Sequence, residues 1–283
     1  MVNYTFPVSI DRAFSEFYYE GHEEAIERFA SHWGGLDVET FSRVLEEGQG
    51  EDKVIALFAL GYMATPQARE RLLPFLQSTE PMERWASALC LGEMKDEHAL
   101  PVLQGMLLEG LSPPIDPLFS ENKSWLDGLR LRVAYLLGDW GPHSVIPLMR
   151  QAFATIWKLE QSEPQDEFLY YYQDALMYAL GQRGAFGVLT GLALSPPRRR
   201  LAMLYLALGH LRAREHYDRI NMAIIIDIDK GLQAEVARVL EQRFGLTAAE
   251  QSECIKHYWE NSDVRWRRQD DEEETTEEPF AEA

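Results

Sequence analysis

Only two cysteines, Cys90 and Cys254, occur among 283 residues. They stand far apart, each inside an apolar helical pattern where a free thiol packs as a small core residue, so a reducing compartment fits best. Bases are scarce as well: 27 Lys and Arg face 46 Asp and Glu, a formal net charge of -19. That balance repels nucleic acid and anionic lipid at long range and favours basic or neutral partners. No stretch approaches 18 uncharged apolar residues and no basic-then-apolar leader opens the chain, so neither a membrane span nor a secretory signal is expected, and the cytoplasm is the expected location. None of the seven histidines forms an i, i+4 pair suited to zinc, and no G-x-S-x-G, Walker loop or dinucleotide fingerprint occurs. Gly181, Gly184 and Gly187 read as turns, and Asp227-x-Asp229 lacks a third ligand nearby in sequence, so Asp229 reads as a helix cap. No catalytic residue, cofactor or metal is expected.

Apolar material is plentiful, at 46% of residues with 11% aromatic, and the body should fold. Five short apolar runs end in Leu-Gly: Leu60-Gly61, Leu91-Gly92, Leu137-Gly138, Leu180-Gly181 and Leu208-Gly209, with Leu240-Glu241 a degenerate sixth. Recurrence at intervals of about 30 to 45 residues marks a stacked repeat. The residue before each pair is Ala59, Cys90, Leu136, Ala179 or Ala207, and small side chains let helix backbones approach closely. The glycine is expected to serve the unusual dihedrals of a helix end. After each Leu-Gly comes a polar break and then a second helix; Pro101 and Pro147, each ten residues past its leucine, mark helix beginnings, and Pro74 occupies a related place.

These segments, clearest in RWASALCLGEMKDEHALPVLQGML from Arg84 and LRVAYLLGDWGPHSVIPLMRQAF from Leu131, resemble HEAT-like repeats, in particular the short-linker kind of the phycobilisome lyases. The resemblance covers roughly residues 36 to 245. It implies an all-α, right-handed α-solenoid of about six antiparallel helix pairs, with the Leu-Gly helices on the inner, concave layer and the proline-marked helices outside. Residues 1–35 then form an N-terminal helical cap, 36–245 the array, 110–124 an insertion inside its third pair, and 246–262 a capping helix. Residues 263–283 are an acidic tail expected to be disordered.

Seven residues before the leucines stand Lys53, Arg84 and Arg130, then Gln173 and Leu201. Because seven helical steps nearly complete two turns, these cations share a side with the packed leucine. The resemblance implies that they bridge successive units through acids such as Glu80, Glu83 and Glu121; an anion or partner contact is the alternative. Two residues before the leucines, on the side expected to be concave, stand Phe58, Leu89, Tyr135, Tyr178 and Leu206. Exposed, that apolar row would be a binding ridge; covered, it is core. Arg132 and Asp139 lie beside Tyr135 as a polar rim. Arg198 to Arg200 form a basic knuckle, expected to be neutralised within the chain.

The expected function is a non-catalytic scaffold or adaptor that binds another protein, one with basic patches fitting best, through Phe58, Leu89, Arg132, Tyr135, Asp139, Tyr178 and Leu206. It is expected to be monomeric. Two alternatives follow from the resemblance: a HEAT-like alkylpurine DNA glycosylase, whose basic, aromatic-lined concave surface the charge balance opposes, and a bilin lyase subunit. The single His22-Glu23 dipeptide argues against the di-iron deoxyhypusine hydroxylase class, which uses several.

Overall fold

The computed structural model describes residues 8–15, 22–109, 123–162, 167–212 and 230–255. Among these the fold is all-α, with no strand. The helices are α1 (Val8–Ser15), α2 (His22–Trp33), α3 (Val38–Glu47), α4 (Gly50–Met63), α5 (Pro66–Leu72), α6 (Pro81–Glu93), α7 (Leu100–Met106), α8 (Lys123–Asp139), α9 (Ile146–Ser162), α10 (Glu167–Gln182), α11 (Pro196–His210) and α12 (Lys230–Phe244). Residues 248–255 are also helical. The chain divides into two compact units, Met1–Tyr172 and Gln173–Ala283. The insertion apart from its last residues, the acidic tail, and Asp227 and Asp229 lie outside the described residues.

Local chemistry sets the helix starts. Asp37 accepts from the Thr40 N–H at 2.7 Å to open α3, and Thr65 accepts from the Ala68 N–H at 3.1 Å with Pro66 following it to open α5. Hydrogen bonds from Thr40 hold the Asp37 carboxyl below the usual carboxylate range. Thr247 and Glu250 close a reciprocal capping box, the Thr247 N–H donating to Glu250 Oε2 at 2.8 Å and the Glu250 N–H to Thr247 Oγ1 at 3.4 Å. Pro101 and Pro147 stand at the second position of α7 and α9, as their spacing predicts. Pro74 holds the same second position in a 3-10 helix, Leu73–Gln77, that follows α5 directly; lacking an N–H, it ends the α geometry there. The buried Ser87 hydroxyl donates to the Leu72 carbonyl at 2.7 Å and ties the end of α5 to α6.

The Leu-Gly glycines serve a different purpose from the one expected. All five lie inside their helices, and for four of them the left-handed residue comes three positions later, at Ala64 (φ 50°), Lys95 (φ 58°), Gly184 (φ 67°) and Arg212 (φ 51°). Each of these N–H groups bonds back to the carbonyl of Gly61, Gly92, Gly181 or Gly209, at 2.8 to 3.1 Å. The glycines are needed where helices touch. A Cβ on Gly61 would fall on the Cys90 side chain, and one on Gly92 would stand 3.0 Å from Leu103 and 3.2 Å from Leu136. In the second unit the contacts are reciprocal and made of backbone: Gly181 meets Leu206, and Gly209 meets Tyr178. Hydrogen in place of a side chain is what allows these crossings.

Candidate functional site

The cations seven residues before each leucine form a ladder between repeats. Lys53 on α4 pairs with Glu83 on α6 at 3.5 Å. Arg84 on α6 pairs with Glu109 at 3.1 Å and donates to the Ser78 carbonyl at 2.8 Å. Glu109 also accepts from the Trp85 indole at 2.9 Å, and its own carbonyl accepts from Arg130 on α8 at 2.8 Å. The partners are Glu83, as expected, and Glu109, which the sequence did not suggest; Glu121 lies outside the described residues. Gln173 fills the same position in the second unit, where its Oε1 accepts two bonds from the buried Arg198, at 3.0 and 2.6 Å. Arg198 also pairs with Asp174 at 3.5 Å and Arg200 with Glu253 at 2.8 Å, so two of the three knuckle cations are neutralised within the chain.

The apolar ridge is not an exposed surface. Phe58, Leu89, Tyr178 and Leu206 are each at most 1% exposed. Residues 54–61 of α4, 85–92 of α6 and 172–181 of α10 are buried without a break, and a helix sealed on all sides leaves no free concave stripe. Helix α1 packs against α4, burying Ile10, Ala13 and Phe14, and Phe14 meets Phe29 of α2 edge-on at 5.4 Å. Tyr135 differs: with Arg132 and Asp139 it is only partly buried, along one side of α8, while Val133, Ala134 and Leu137 are sealed on the other.

One turn beyond the ridge, immediately after each Leu-Gly, runs a polar row of which the sequence reading named only Asp139: Tyr62, Glu93, Asp139, Gln182 and His210. These are i+4 from the ridge positions and share their face. In the first unit they build a cross-repeat cluster. One oxygen of Glu93 on α6 accepts from Arg12 of α1 at 3.1 Å and from Arg132 of α8. Arg132 also donates to the Tyr62 hydroxyl on α4 at 2.9 Å, and the Arg12 guanidinium lies 4.0 Å above the Tyr62 ring. Asp139 pairs with the cap residue Lys95 at 3.0 Å.

Elsewhere, Asp96 caps the 3-10 turn Glu97–Ala99, accepts from the His98 N–H at 3.0 Å and the His98 ring at 2.7 Å, and pairs with Arg69. Burial alone would raise its pKa, but the bonds from His98 and Arg69 outweigh that and hold it below the usual range. In the second unit, burial and the neighbouring Arg243 lower the pKa of His210, whose ring meets Phe186 edge-on at 5.1 Å. Among the described residues no three His, Cys, Asp or Glu side chains are grouped to hold a metal, and no helix is long and apolar enough to cross a membrane.

Sealed inner helices joined by cross-repeat ion pairs are the arrangement of stacked helical repeats. Residues 39–114 match the family model of HEAT repeats. This stretch takes in α3 to α7, including the first two Leu-Gly helices and the Lys53–Glu83 and Arg84–Glu109 bridges. No curated protein and no solved structure matches the chain.

Proposed function

We propose that the chain is a non-catalytic scaffold or adaptor that recognises another protein through its HEAT-like repeats, at the partly buried side of α8. The observation that carries this reading is the half-open side of α8, where Arg132, Tyr135 and Asp139 stand at i, i+3 and i+7 on a helix whose opposite side is core. An aromatic ring flanked by a guanidinium and a carboxylate is the composition of a protein contact rather than of a solubilising surface. The ladder also supports a protein partner over nucleic acid: Lys53, Arg84 and Arg130 are occupied by Glu83 and Glu109, and the charge of -19 suits basic patches rather than phosphate.

Within this proposal the repeats are of the short-linker type and run from 36 to 245, with caps at 1–35 and 246–262 and the acidic tail at 263–283. The protein works as a cytoplasmic monomer.

The test is Tyr135→Asp. It should abolish co-purification of the partner from native extract while far-UV circular dichroism stays unchanged; an unaltered partner set would refute the proposal. Tyr178→Asp, at a site 1% exposed, should instead unfold its unit and serves as the contrasting control. A duplex gel shift at low salt that weakens steeply as salt rises would transfer the reading to DNA.

A further inference from the structure

We infer that the seat of α1 on the inner face is a helix-binding groove held by an internal occupant, and that a partner helix of the same chemistry displaces α1 to bind there. The inference rests on the scaffold reading and names the ligand. Helix α1 meets the repeats as a docked peptide does: Ile10, Ala13 and Phe14, at i, i+3 and i+4, are 0 to 1% exposed, while Arg12 between them reaches across the neighbouring helices. Its guanidinium sits 4.0 Å over the Tyr62 ring and 3.1 Å from Glu93, bridging α4 to α6.

The seat beneath is lined by α2 and α4, with Glu93 of α6 and Arg132 of α8 at its polar end. Phe58 and Tyr62 stack at 6.0 Å between ring centroids, and Arg132 from α8 holds both the Tyr62 hydroxyl and Glu93. A prearranged carboxylate beside an aromatic face is a receptor for a guanidinium, and α1 supplies the one seen. Eight residues are too few to form a stable helix alone, so α1 is helical only while docked, and its ion pair is partly open, with the Arg12 side chain 37% exposed. The matching partner is an amphipathic helix presenting an arginine two residues after its first apolar anchor, with further anchors three and four residues after the first.

A fluorescein-labelled peptide of residues 6–17, titrated into the full-length chain and read by fluorescence anisotropy, tests this. Its apparent affinity for the wild-type chain is reduced by the fraction of seats that α1 already fills. Ile10→Asp in the chain should empty the seat and tighten peptide binding by about tenfold or more. Arg12→Ala should tighten it by a smaller factor, and provides the readout if Ile10→Asp loses more helix by circular dichroism than the eight residues of α1. Glu93→Gln in the chain, or Arg12→Glu in the peptide, should abolish binding. Equal affinity for wild-type, Ile10→Asp and Arg12→Ala chains, no binding to any of them, or binding indifferent to Arg12→Glu in the peptide would each overturn the inference. The peptide reports on the α1 seat alone, whereas Tyr135→Asp reports on partner capture, so the two proposals fail separately.

Discussion

Gly209→Ala gives the sharpest test of how the inner helices of the second unit meet. On an isolated helix the change would stabilise by about 1 kcal/mol, because alanine is the better helix former. Here the new Cβ would stand 2.7 Å from the carbonyl carbon of Tyr178, closer still to its oxygen, and 3.0 Å from its Cα. All three atoms are backbone, so no rotamer change relieves the clash. The helices must separate by about 1 Å, which forfeits a quarter to half of the dispersion energy of each contact across the crossing. Overpacking of this kind costs about 1–3 kcal/mol, and a backbone obstacle places it at the upper end. The expected net result is a loss of about 2 kcal/mol, read as a lower urea midpoint by far-UV circular dichroism with unchanged slope. Gly105→Ala on α7 is the internal control: its Cβ would meet nothing within 4 Å, so the propensity gain should survive and the variant should match or exceed wild type. A Gly209→Ala protein more stable than wild type would refute the close crossing.

Other expectations follow from the caps and the buried carboxylate. Ala64→Gly should raise stability by about 1 kcal/mol in thermal unfolding, since an L-residue held at φ 50° is strained and glycine is not. Thr65→Ala should lower it by about 1 kcal/mol through loss of the α5 cap, while Thr65→Ser should restore most of it. Asp96 has a folded-state pKa below its unfolded value, so its contribution is fully present above the unfolded pKa and disappears as pH falls through the lower folded one. In urea titrations from pH 7 to pH 3, Asp96→Asn should therefore flatten the acid limb; an unchanged limb would show that Asp96 is not responsible for it.

The repeat could be read because every unit makes the same helix crossing and the same helix start, so Leu-Gly, the small residue before it and the prolines after it recur at regular spacing. The ladder from Lys53 was legible for the same reason, since a seven-residue step fixes the side of a helix whatever surrounds it. Exposure was harder to read. Phe58 and Leu89 were placed on a concave face by angle alone, yet the runs VIALFALG and WASALCLG contain no charge at any angle, and a helix with an open side would. The polar row of Tyr62, Glu93 and Asp139 was within reach, being one turn past the ridge. The seat of α1 was not: Arg12 and Glu93 are 81 residues apart, and no local pattern joins them. Nor could spacing tell a glycine chosen for its dihedrals from one chosen because a neighbouring backbone passes against it.

The two cysteines, one in each compact unit, equip the chain with a pair of built-in reporters. Cys90 lies sealed against Gly61, and Cys254 is buried with its thiol pushed up to about 11. At pH 8 roughly one Cys254 sulfur in a thousand would be thiolate while folded, against roughly a quarter once released, so alkylation tracks opening rather than reagent access at the surface. Mass spectrometry of the two tagged peptides, timed after addition of reagent, would then clock each half of the molecule separately without any label having been engineered.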